Sequence, residues 1–123
     1  MKIRIKGNSL RYRLTKTDIS TFVKNGYLEE FTRFGEQVLV YALQKSEGND
    51  LSAMFENNKI TLFMPLEAVN EWNETDRVGF EANNNGLFLL VEKDFKCLDN
   101  VAEDQSDNYP NPLALSVAAT SLV

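Results

Sequence analysis

Basic side chains are concentrated at the start of this chain. Residues 1–16 contain six cationic side chains and no carboxylate, a charge of +6, whereas the whole sequence of 123 residues has a formal charge of −5. The rest of the chain therefore carries −11. Guanidinium and ammonium groups are the side chains that bind phosphates and carboxylates. The candidate nucleic-acid or anion-binding residues are Arg4, Lys6, Asn8, Ser9, Arg11 and Arg13.

The spacing of these residues predicts a β-hairpin. Gly7-Asn8 separates two short stretches in which charged and apolar residues alternate, which is the pattern of two strands joined by a tight turn. In this basic hairpin, as we call residues 2–14, Arg4 is expected opposite Arg11 and Lys2 opposite Arg13. Directly opposed like charges destabilise a strand pair by tenths of a kcal/mol up to about 1 kcal/mol. A row of them indicates an anionic partner.

Three partners and one internal arrangement fit this face. Phosphates of duplex DNA, a small anion or a carboxylate-rich protein would each neutralise the row of cations. Alternatively, Glu29, Glu30 or the acidic C-terminal tail neutralises the same face within the chain. The side chain of Tyr12 could stack on a base, but the alternation places it with the isoleucines on the opposite face of the hairpin.

Few of the usual catalytic residues are available. The chain has no histidine and one cysteine, Cys97, so a general acid or base would have to be a carboxylate, Lys, Tyr or Cys97. We therefore expect no enzymatic activity and no cofactor. A single thiol forms neither an internal disulfide nor a multi-thiolate metal site, and the acidic residues from Asp94 to Asp107 lack the spacing of a calcium loop, so no metal is expected. The sequence contains no signal-peptide core and no membrane-length apolar stretch, which predicts a cytoplasmic protein without membrane association.

The same order of elements is predicted twice along the chain. A helix is expected to begin after Thr15, with Asp18 completing a capping box, and to end at Asn25-Gly26. The apolar residues 38–41 predict a strand buried on both faces. Pro65 is expected to open a second helix, with Phe22, Phe63 and Trp72 in the core. The strands are predicted at residues 2–6, 10–14, 27–33, 36–43, 51–56, 59–64, 77–82 and 87–92, with a polar linker at 45–50 and a turn at 83–86.

These elements predict one mainly β (α+β) domain over residues 1–96, built from two strand-strand-helix-strand-strand repeats. Repeat 1 covers about 2–43 and repeat 2 about 52–93, and a shift of fifty positions aligns their apolar residues and turns. We expect the two repeats to close a small barrel with pseudo-two-fold symmetry. Residues 97–123 form an acidic and then apolar tail outside the repeats.

The repeats resemble the swapped-hairpin fold of AbrB and MazE-type bacterial regulators. Residues 6–9, Lys-Gly-Asn-Ser, followed by Arg13-Leu14-Thr15, are similar to the opening of MazE-like antitoxins, although Thr15 stands where that family usually has Pro. The resemblance implies DNA contacts by Arg4, Lys6, Ser9 and Arg13, a loop shaped by Asn8, and a protein partner bound through residues 99–123. Residues 4–15, 91–99 and 109–112 also resemble a small family of bacterial proteins without an assigned activity.

The sequence therefore favours a non-enzymatic DNA-binding regulator or antitoxin-like protein. The alternative is a protein-interaction or small-anion-binding module whose basic face takes carboxylate or phosphate groups. The tail either orders on a partner, as disordered acidic segments do, or covers an edge of the domain. Both a monomer and a homodimer are compatible with the sequence.

Overall fold

The computed structural model describes residues 1–95 and 106–110. Strands and helices follow one another in the order strand, strand, helix, strand, strand, and the same order then occurs again. The strands are β1 (Lys2–Ile5), β2 (Ser9–Leu14), β3 (Tyr27–Phe34), β4 (Gln37–Ser46), β5 (Ser52–Glu56), β6 (Lys59–Pro65), β7 (Gly79–Asn84) and β8 (Leu87–Lys93), and the helices are α1 (Lys16–Asn25) and α2 (Leu66–Glu74).

Each sheet takes one hairpin from each half of the chain. The first sheet has the strand order β1-β2-β8-β7 and the second has the order β3-β4-β6-β5. The central pairs, β2 with β8 and β4 with β6, are parallel, whereas the outer pairs are antiparallel hairpins. The described strands thus form two separate sheets, and no ladder between the sheets is found among them. Closure into a barrel stays a prediction.

Local sequence explains the helix boundaries. The Thr15 side chain accepts a hydrogen bond from the Asp18 backbone, and the Asp18 side chain accepts one from the Thr15 backbone, so the predicted capping box is confirmed. Gly26 ends α1 with a φ of 75°, a left-handed conformation that glycine adopts without steric cost. Pro65 is the N-terminal cap of α2, as its fixed φ predicts.

The core connects both sheets with both helices. Phe22 of α1 and Trp72 of α2 are fully buried, whereas Phe63 is only half-buried on β6. Tyr12 of the first sheet is also fully buried, packs edge-to-face on Tyr41 of the second sheet at 6.2 Å, and donates its hydroxyl to the Ile60 carbonyl at 3.1 Å. Its burial excludes Tyr12 from base stacking in this conformation.

Other details also differ from the sequence predictions. Residues 38–41 are half-buried rather than buried on both faces, because the β4–β6 ladder begins only at Val40 and Lys59. β4 continues to Ser46, into the predicted linker, because Lys45 is held by its backbone bond to Gly26 and its Nζ bond to the Val23 carbonyl. The predicted four-residue turn at 83–86 reduces to Asn85 and Gly86, both with positive φ, since β7 extends to Asn84.

Candidate anion-binding site

The basic hairpin has the predicted register. Lys2 lies opposite Arg13 and Arg4 opposite Arg11 in the β1–β2 ladder. Side chains alternate between the faces of a strand, so these four cations share the outer face of the first sheet. β1 is the edge strand, and its residues Lys2, Arg4 and the following Lys6 are exposed. The hairpin therefore presents its cations to solvent along an open edge.

One carboxylate lies between two of these cations. The parallel pairing of β2 with β8 places Glu92 beside Arg13. Glu92 Oε2 is 2.9 Å from Arg13 Nε and 3.5 Å from Arg11 Nε. One negative charge thus offsets part of the repulsion among the guanidinium groups on this face.

A second carboxylate, that of Asp94, pairs with Lys2 of the basic hairpin. Lys2 Nζ lies 3.3 Å from Asp94 Oδ2, and the Asp94 side chain is 6% exposed. Backbone bonds fix Asp94, because its N–H donates to the Leu14 carbonyl and its carbonyl accepts from Tyr109. Burial of a carboxylate away from water is costly unless a cation is close by. The ion pair with Lys2 therefore stabilises Asp94 at this position.

These counter-charges are not the ones that sequence reasoning named. Glu29 lies in the second sheet, 3.8 Å from Lys59, and Glu30 binds the Met1 amino group. Neither contacts the basic hairpin, so their proposed role in neutralising it is wrong. Glu92 and Asp94 were missed because the parallel β2–β8 pairing joins residues about eighty positions apart. The outward position of Glu92, which follows from buried Leu89 and Val91, was the available signal.

The other candidate residues divide into free and structural groups. Within residues 1–95 and 106–110, Arg4 and Lys6 make no ion pair. Asn8 Nδ2 donates to the Gly86 carbonyl at 2.7 Å, and the Asn8 carbonyl accepts from Phe88, so Asn8 joins the hairpin loop to the β7–β8 turn. Ser9 Oγ donates to the Lys6 carbonyl at 2.6 Å, which makes Ser9 part of the turn.

Part of the tail packs against the start of α1 and the end of β8. Asp107 Oδ1 accepts bonds from the Thr17 hydroxyl and backbone at the start of α1, and hydrogen bonds from Thr15 and Thr17 lower the pKa of Asp107. Tyr109 forms an isolated bridge with Phe95, and their rings meet edge-to-face at 5.7 Å. Residues 106–110 therefore cover one end of the domain. Cys97, Asp99, Glu103, Asp104 and the apolar residues 113–123 lie outside the described residues.

Lys93 is a buried cation that sequence reasoning did not single out. It is 8% exposed, donates from Nζ to the Thr75 carbonyl at 3.0 Å, and lies 5.3 Å from the centre of the Tyr109 ring. Burial lowers the pKa of the Lys93 ammonium group. These contacts link the end of β8 to the end of α2 and to the described part of the tail.

Burial of tyrosines predicts a delayed alkaline titration. Desolvation raises the pKa of Tyr109 from 10.0 to about 12, and it raises the pKa of Tyr12 above its ordinary value. Because the folded state favours the neutral phenols, their contribution to stability is complete below pH 10 and is lost as the pH rises through 12. We expect tyrosinate absorbance of the folded protein to appear at higher pH than that of the urea-unfolded chain. Coincident titrations of both forms would contradict the burial of these phenols.

Among the described residues, no three carboxylate or thiol groups are placed to hold a metal ion. A depression of about 230 Å³ between α2 and β7 is lined by four carboxylates, those of Asp50, Glu67, Glu71 and Glu81. This acidic surface lies apart from the basic hairpin. None of the described helices has the length and apolar character needed to cross a membrane.

The described residues form a mainly β protein in which each of two sheets combines one hairpin from each half of the chain. The outer face of the first sheet carries the row of cations. The chain belongs to DUF7009, a family of unknown function whose model matches residues 1–113. No curated protein matches the sequence. No solved structure matches it either.

Proposed function

We propose that this protein is a non-enzymatic binding protein whose basic hairpin contacts the phosphates of duplex DNA. The observation that carries the proposal is the outward row of Lys2, Arg4, Lys6, Arg11 and Arg13, against which Glu92 and Asp94 are the carboxylates paired in the described residues. Among the residues that the structure describes, five cations on this face lie opposite two carboxylates, in a chain that is acidic overall. Arg4 and Lys6, near the turn, are exposed and make no ion pair within the described residues, so both are free to contact a phosphate backbone.

The topology supports a relation to AbrB and MazE-type regulators. In both sheets a hairpin from one half of the chain pairs with a hairpin from the other half. This exchange supports the swapped-hairpin arrangement that the resemblance implies. We propose that the two sheets correspond to the two halves of such a barrel, formed here within one chain. In this view the basic hairpin occupies the position of the DNA-contacting strands.

The proposal is tested by anisotropy of a fluorescent duplex across a salt series. Arg4→Ala and Lys6→Ala should each weaken binding and reduce the slope of log affinity against log salt by about 0.9, the value for one phosphate contact. Arg77→Ala is the matched control, because Arg77 lies in the other half of the chain and pairs with Glu71 at 2.9 Å. The control should bind as the unmodified chain does.

Glu92→Gln provides a change of opposite sign in the same assay. It removes the carboxylate between Arg11 and Arg13 and should therefore strengthen DNA binding. Circular dichroism checks that each variant is folded. The DNA proposal fails if the unmodified chain does not bind the duplex at low salt, or if Arg77→Ala weakens binding as much as Arg4→Ala does.

A carboxylate-rich protein segment is the second candidate. The contacts of Glu92 with two guanidinium groups support it, because a partner's carboxylate could take the same position. Labelled polyglutamate in the same assay separates the two candidates. Binding of polyglutamate but not of duplex DNA would select the protein partner.

A further inference from the structure

The edge strand β3 of the second sheet is built differently from the edge strand β1. β3 has eight residues, whereas the other edge strands in the described sheets, β1, β5 and β7, have four, five and six. The two charged residues of β1, Lys2 and Arg4, are both cationic, so two copies of β1 would repel each other. In contrast, β3 carries charges of both signs, Glu29, Glu30 and Arg33, and contains neither Lys nor Pro. A long edge strand whose charges can be matched is a template for pairing with another strand.

The backbone of β3 offers hydrogen-bonding groups at this edge. The Val40 N–H donates to the Asn58 carbonyl, so the backbone groups of Val40 point toward β6 and away from β3. Two residues directly opposite each other in an antiparallel pair point their backbone N–H and C=O groups either both toward each other or both away. Phe31 lies opposite Val40, so the backbone groups of Phe31 point away from β4, toward the open edge. The same holds for Glu29 and Arg33, two positions away on either side. Within the described residues no other backbone group bonds to these three.

The side chains at the same place are apolar and exposed. Phe31 and Phe34 are 60% and 62% exposed. Phe31 pairs with Val40, which lies beside Lys59, the first residue of β6. Phe34 pairs with Gln37 and lies beyond that point, on the opposite face of the strand. The Phe31 ring is therefore exposed at the centre of the open edge, where a strand that paired with β3 would cover it.

The charge pattern of β3 identifies the partner. We infer that β3 pairs in antiparallel fashion with β3 of a second copy of this chain, around a two-fold axis at Phe31. In this register Phe31 faces Phe31 of the second copy, and Glu29 faces Arg33 of the second copy. By symmetry, Arg33 also faces Glu29 of the second copy, so the interface contains two pairs of opposite charge.

Alternative registers are less favourable. The outward backbone groups belong to odd-numbered residues of β3, such as Glu29, Phe31 and Arg33. A ladder therefore forms only in registers that place odd-numbered residues of the two copies opposite each other. A two-fold axis at Glu30 would place two Glu30 carboxylates opposite each other, which is destabilising. An axis at Thr32 would place Phe31 opposite Arg33 and form no ion pair between Glu29 and Arg33. The axis at Phe31 therefore satisfies backbone, charge and apolar groups together.

The test uses the full chain without nucleic acid, so its outcome is independent of the proposed DNA binding. Light scattering coupled to size exclusion, over a concentration series, should give a dimer of twice the 14.0 kDa chain mass. Arg33→Glu puts a carboxylate opposite Glu29 and should shift the mass to that of one chain. Combining Glu29→Arg with Arg33→Glu exchanges the charges across the interface and should restore the dimer. Lys24→Glu, a charge reversal at an exposed position of α1, should leave the dimer intact.

A symmetric cross-link checks the register. With Cys97→Ser as background, Phe31→Cys should oxidise to a covalent dimer, because the two positions face each other across the axis. Phe34→Cys should not, since position 34 faces Leu28 of the second copy. The inference is overturned if the unmodified chain is monomeric throughout the series, if Arg33→Glu leaves the dimer mass unchanged, or if the double exchange does not restore the dimer.

Discussion

Replacement of Trp72 by alanine is expected to lower the free energy of unfolding by about 3–5 kcal/mol, as for a fully buried aromatic residue. Trp72 has no exposed surface, and its Nε1 donates to the Val78 carbonyl at 2.9 Å. The substitution leaves a cavity beneath α2 and removes the bond that holds the segment leading into β7. Phe22→Ala at the aligned position of α1 should cost a similar amount, because Phe22 is buried to the same degree.

Urea unfolding followed by circular dichroism measures this effect, since Trp72 is the one tryptophan of the sequence and its removal abolishes the fluorescence signal. Leu66→Ala is the matched control on the same helix, because Leu66 is 50% exposed. We expect the control to lose far less stability than Trp72→Ala. Equal losses in the two variants would show that Trp72 is not part of the packed core.

Gly79→Ala is expected to destabilise the protein by about 1–3 kcal/mol, the usual cost of adding a methyl group where no space exists. A Cβ at this position would lie 2.9 Å from Glu92 Cα and would also collide with the Val91 carbonyl oxygen. Both are groups of the β8 backbone, which is held by ladders on both sides. The substitution should also displace Glu92, the residue that bridges Arg11 and Arg13.

Gly48→Ala provides the comparison for Gly79→Ala in urea unfolding. A Cβ on Gly48 would meet only Ser46 Oγ, at the ordinary contact distance of 3.6 Å, so a change near zero or a small gain in stability is expected. If both alanine variants unfold at the same urea concentration as the unmodified chain, β7 does not approach β8 as closely as described.

The amino-acid sequence by itself determined the local elements of this protein. Alternating residues, the capping box at Thr15 and the Asn57-Asn58 turn act over a few positions, so they specify strands, a helix start and a hairpin without help from distant residues. The register of the basic hairpin belongs to the same class, because a tight turn fixes which residues lie opposite each other. For this reason the outward row of Lys2, Arg4, Arg11 and Arg13 was predictable.

The neutralisation of that row was decided by tertiary structure. Glu92 reaches Arg13 because β2 and β8 pair in parallel, and no turn between these strands fixes their register. The electrostatics of the candidate site therefore depend on a pairing between the two ends of the domain, which alternation in either strand alone does not specify.

The exposed part of β3 and β4 has the same kind of origin. The shift of fifty positions aligns Met64 with Leu14. In the parallel ladder of the first sheet, Leu14 pairs with Lys93, the residue aligned with Leu43. In the parallel ladder of the second sheet, Met64 pairs with Lys45 instead of Leu43. The parallel ladder of the second sheet is thus displaced by two residues relative to that of the first. A shift of one residue would turn every side chain to the wrong face, but a shift of two preserves the faces, so the hydrophobic pattern does not distinguish the two registers. Only packing of the assembled sheets selects between them, and that choice leaves Phe34, which pairs with Gln37, beyond the start of the β4–β6 ladder.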